Sequence, residues 1–124
     1  MRRPAVLAAA FAAALSAAFT AATATSAHAV PAGHVYFWYG TNQMGGQGAW
    51  DYVPGGYKEA PDWLKRHVYS FDSHASVTVY AISYQSGGDC LYREIRPDDY
   101  DNNWTAWAGK FDGVSDSTMG CEQG

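Results

Sequence analysis

Apolar and polar positions alternate over short runs that are broken by glycine- and proline-bearing segments, the pattern of strands rather than helices. His34–Tyr39 (HVYFWY) and Ser76–Tyr84 (SVTVYAISY) are rich in β-branched and aromatic residues, and the second sets Val77, Val79 and Ala81 against Thr78, Tyr80 and Ile82. Gly45-Gly46, Gly48, Pro54-Gly55-Gly56 and Gly87-Gly88 punctuate these runs, as the turns of an all-β sandwich do. A single helical turn is predicted over Ala60–Arg66, where Pro61 and Asp62 suit a first turn and Arg66 a last.

The pattern is also duplicated. Phe71-Asp72-Ser73-His74-Ala75-Ser76 recurs as Phe111-Asp112-Gly113-Val114-Ser115-Asp116, 40 positions on. The landmarks ahead of each copy keep one order: Gly45-Gly46, Trp50, Pro54, Tyr57 and Trp63 in the first, Gly87-Gly88, Tyr92, Pro97, Tyr100 and Trp104 in the second. Matching Phe-Asp with Phe-Asp predicts two repeats, about 34–79 and 80–121, related by a pseudo-twofold axis, with Trp63 and Trp104 in equivalent core positions.

Composition narrows the setting. Arg2 and Arg3, an Ala-rich apolar run over 5–22 and the small-x-small site Ala27-His28-Ala29 predict an export signal over residues 1–29, removed ahead of Val30. The 95 residues that follow are one domain of about eight strands, too short for two ordinary cores. With Arg2 and Arg3 gone, 12 acidic residues face 6 basic ones, a net charge of −6, which disfavours nucleic acid and anionic membrane surfaces as partners. All 5 Trp and all 9 Tyr lie in this part, supplying large rings to a small core. Cys90 and Cys121 are the only cysteines, and in an exported chain they are expected to be bridged.

Catalytic signatures are missing. His34, His67 and His74 lack metal-ligand spacing, no H-E-x-x-H, G-x-S-x-G or phosphate loop occurs, and nothing selects a working carboxylate pair from Asp51, Glu59 and Glu94. Asp98–Asn103 imitates an EF-hand, but Trp104 stands where that loop needs Gly and Lys110 where it needs Glu, which leaves a solvated turn after Pro97.

The residues do resemble a known family. Tyr39-x4-Met44-Gly45-Gly46 resembles the folded hairpin of the βγ-crystallin Greek key, and Phe71-Asp72-x-x-Ala75-Ser76 resembles that motif's acidic-acidic-x-x-hydroxyl-Ser signature, whose terminal Ser bonds over the hairpin. The second copy lacks the second hairpin aromatic. The resemblance covers both repeats and implies two tandem Greek keys forming one β sandwich, each sheet borrowing a strand from the other repeat. It also implies a calcium site, for which Asp72, Ser76, Asp112 and Ser115 are the candidate ligands. Phe71, Phe111 and Ala75 replace oxygen-bearing positions of the signature, so calcium is expected to bind weakly or not at all.

Two functional expectations follow. The resemblance to secreted crystallin-like peptidase inhibitors and killer-toxin-like proteins implies a monomeric, extracellular, non-catalytic binder of another secreted protein, such as a peptidase, with Gly40–Gly48 and Gly55–Asp62 as the available loops. The alternative is a carbohydrate or cell-wall module. Trp107, which has no counterpart in the other repeat, is its candidate contact, because sugars stack on aromatic faces.

Overall fold

The computed structural model describes residues 29–124; the export signal expected at the N-terminus lies outside them, save Ala29. Among these residues the chain forms β1 (Val35–Trp38), β2 (Trp50–Tyr52), β3 (Lys58–Glu59), β4 (Ser70–Ser73), β5 (Val79–Tyr84), β6 (Cys90–Ile95), β7 (Tyr100–Asp101), a short helix α1 (Thr105–Ala108), β8 (Gly113–Ser115) and β9 (Glu122–Gln123). One sheet runs β2-β1-β4-β7 and the other β9-β6-β5-β8-β3. Thus β7 of the second motif completes the first motif's sheet, and β3 of the first completes the second's.

Val35 and Phe37 from β1, Phe71 from β4, Val79 and Ala81 from β5, Ile95 from β6 and Val114 from β8 meet between the sheets. Leu64, Val68, Trp104, Trp107 and Phe111, from the connections into β4 and β8, close one flank of that core. The rings interlock: Phe37 lies 4.8 Å from Phe111 between centroids, and Phe71 lies 4.7 Å edge-on from Trp104. Burying such rings is how a small domain gathers most of its apolar area.

Two local expectations change. Val77 is 48% exposed, because it falls in the bend ahead of β5, whereas Ala81, Ile82 and Ser83 are all buried. β5 is the middle strand of its sheet, and there both faces are covered. Ala60–Arg66 makes the expected single turn, held by Leu64 N and Lys65 N donating to Pro61 O, but it is not the one such turn: the helix α1 lies in the second motif. Arg66 ends the Ala60–Arg66 turn with φ of 61°.

The repeat has a different register from the Phe-Asp match. Trp107 N and Ala108 N donate to Trp104 O as Leu64 N and Lys65 N do to Pro61 O, and Lys110 N donates to Trp107 O as His67 N does to Leu64 O. Each of these pairs is 43 positions apart, not 40. The ladders agree with them. Taking Val35-Tyr36 of β1 with Val79-Tyr80 of β5, Phe37 pairs with Phe71 and its counterpart Ala81 pairs with Val114. Phe71 therefore corresponds to Val114, Asp72 to Ser115, Val68 to Phe111 and Pro61 to Trp104. The recurrence of Phe-Asp is a coincidence of residue type, and Trp63 and Trp104 are not equivalent.

The cysteines are joined, with Cα atoms 4.9 Å apart. The bridge fixes β9 parallel to β6, pairing Glu122 with Leu91 and Gln123 with Tyr92.

Candidate functional site

The hairpin between β1 and β2 folds back on itself over β4. Gly46 adopts φ of 59°, and a methyl group there would sit 2.8 Å from Tyr39 Cβ, so the fold-over admits only glycine. Ser70 closes it: its Oγ donates to Gly40 O at 2.6 Å and accepts from Gln43 N at 2.9 Å. Ser76, the residue expected in this role, is exposed in the connection to β5. Ser70 also carries a recognisable signal, since Tyr69-Ser70 is a hydroxyl-Ser pair at the entry to a strand. Asn42 N donates to Asn102 O beyond β7, and Gln43 Nε2 lies 3.4 Å from both Phe71 O and Asp101 O. The loop is thereby tied to both motifs while Tyr39 and Met44 stay 41% and 55% exposed.

The hairpin between β5 and β6 is shorter and is held by an ion pair. Asp112, whose side chain is 6% exposed, accepts from Tyr84 N at 2.7 Å and takes Arg66 in a two-pronged pair, Nε on Oδ1 at 2.9 Å and Nη2 on Oδ2 at 2.8 Å. Arg66 Nη2 also donates to Tyr84 O at 2.7 Å, and Arg66 N to Phe111 O at 2.7 Å. Such bidentate charge-assisted bonds are the strong kind, and this one fixes the first motif's loop to the second motif's hairpin. Beside it, burial and then Tyr84 push the Tyr57 hydroxyl well above its ordinary value.

The four candidate calcium ligands are dispersed. Asp72 lies on β4 and Ser115 on β8, in opposite sheets; Ser76 is in a turn, and both Asp112 oxygens are engaged by Arg66. Burial raises the Asp72 carboxyl above its ordinary range, with His74, 3.4 Å away, opposing it. Among the described residues no cluster of three or more His, Cys, Asp or Glu forms a metal centre. Trp107 is 3% exposed and stacks on Trp104 at 5.9 Å, so it presents no face to a sugar.

No protein-family model matches the chain, and no curated protein matches it significantly. Among solved structures it is similar to a βγ-crystallin domain of Abundant Perithecial Protein from Neurospora crassa in its Ca2+-bound form, with a TM-score of 0.54 and 21% identity over 70% of this chain and 90% of that one. The fold is that of a βγ-crystallin domain. Both the strand exchange and the serine-closed hairpin agree with it.

In that fold the terminal Ser of the signature marks its register. Counting back from Ser70, the first copy reads Lys65-Arg66-His67-Val68-Tyr69-Ser70, and the copy 43 positions on reads Ala108-Gly109-Lys110-Phe111-Asp112-Gly113. The paired acidic positions hold two cations in one motif and no side-chain oxygen in the other. A hard divalent ion takes six to eight oxygens or so, and these residues do not fit it.

Proposed function

We propose that the protein is an exported, non-catalytic binder that acts by engaging another secreted macromolecule, with a peptidase that it inhibits as the partner. The observation that carries this reading is the Gly40–Gly48 loop, which is exposed at Met44 yet held at Gly40, Asn42 and Gln43 by bonds to Met44, Asn102 and Ser70. A loop already ordered before binding avoids the cost of immobilising it, which for flexible segments consumes much of the interaction energy. It also resists the distortion that cleavage requires. The carbohydrate reading has less support, since among the described residues the exposed large apolar side chains are Tyr, Met and Val, with no Trp among them.

The test is inhibition of a panel of secreted metallo- and serine peptidases, run beside retention on insoluble chitin, cellulose and peptidoglycan. Inhibition is expected for at least one peptidase, and Met44→Asp should weaken it by roughly tenfold or more, as loss of an anchor residue does. Inhibition of none, with retention on a polysaccharide, overturns the proposal in favour of the carbohydrate module.

A further inference from the structure

Arg66 occupies the second acidic position of the signature in the first motif, and Asp112 the hydroxyl position in the second. A single positive charge, its side chain 46% exposed, is thus met on its inner side by oxygen: both carboxylate oxygens of a nearly buried Asp112 and the carbonyl of Tyr84, at 2.7–2.9 Å. The backbone contributes as well, because Arg66 takes a left-handed conformation, φ 61°, that brings its N–H onto Phe111 O. Next to it, Lys65 in the first acidic position pairs with Glu59 of β3. The oxygens that accept from Arg66 all belong to the second motif, whereas Arg66 itself belongs to the first. Their arrangement is that of a cation site whose occupant is part of the chain.

We propose that the Arg66 guanidinium is a built-in cation that stands in for calcium, locking the first motif's β3–β4 connection to the second motif's β5–β6 hairpin, so that the fold's stability is indifferent to calcium. A covalently attached charge cannot dissociate, whereas a bound ion stabilises only in proportion to its free concentration. An exported protein with such a lock keeps its shape where calcium is scarce or chelated.

Melting of the purified protein, disulfide intact, in EDTA and in millimolar CaCl2 tests this directly. The native sequence is expected to melt at the same temperature in both. Arg66→Ala strands the buried Asp112 charge and should lower the midpoint on the order of 10 °C or more. Adding Asp112→Asn to Arg66→Ala should cost less than the sum of the single changes, because the pair acts as one unit. A calcium-dependent rise in the native midpoint, or saturable terbium luminescence on the native protein that Asp112→Asn abolishes, overturns the proposal; so does additivity of the two substitutions. Should Arg66→Ala fail to fold, the calcium and terbium measurements on the native protein still decide it.

Discussion

Burial raises the carboxyl of Asp72 above its ordinary 3.8, with His74 lowering it and Asp98 raising it. The folded state therefore holds that proton more tightly than the unfolded one. Its contribution to stability is complete below the ordinary carboxylate value and is lost as pH rises through the raised one, so at neutral pH the ionised Asp72 is a cost. Asp72→Asn removes the titration, and the variant is expected to melt above the native protein at pH 7, by an amount that shrinks to nothing as pH falls below the carboxylate range. Thermal melts across that range check it; a variant that melts below the native protein at pH 7, with the difference closing on acidification, would show that the His74 pairing dominates. At this scale the sequence was a mixed guide. Phe71 and Phe111 do reach the core, yet the aspartates that follow them do different things, one facing His74 and the other Arg66.

Hairpins and connections are where reading by residue type loses its way. Strand content and the breaks between strands were legible, because alternation and glycine placement are local. Register was not, since it depends on which backbone groups pair, and aromatic landmarks match easily in a chain this rich in them. The Val35-Tyr36 and Val79-Tyr80 dipeptides, each at the head of a strand and 44 positions apart, held the usable signal against a 40-position repeat. The placement of Ser70 has a measurable consequence. Ser70→Ala leaves Gly40 O and Gln43 N without their partner, a loss of about 1–3 kcal/mol. Amide exchange over residues 40–48 should accelerate more than exchange in β5 and β6. Equal acceleration everywhere would mean that Ser70 supports the core and not the loop.

Across the whole molecule, strand exchange makes the two motifs a single cooperative unit: β3 and β7 each complete the other motif's sheet, and Arg66–Asp112 joins them at the flank. The bridge acts on a different part. Cys90 and Cys121 are 31 positions apart and hold β9, whose two residues pair only with the edge of β6, so without the bond that strand has little to keep it in place. Closing a loop of that length restricts the unfolded chain by roughly 3–4 kcal/mol, which for a domain this small corresponds to about 10–30 °C in the melting midpoint. Reduction is expected to lower the midpoint within that span while unfolding remains one transition, and Gly124 N, which donates to Tyr92 O, should lose its exchange protection before any amide of β5. Calorimetry of the reduced and alkylated protein checks this, with thiol titration of the untouched protein finding no reactive group. Two separate transitions after reduction would show that each motif folds on its own, and that the exchanged strands are too short to bind one half's stability to the other's.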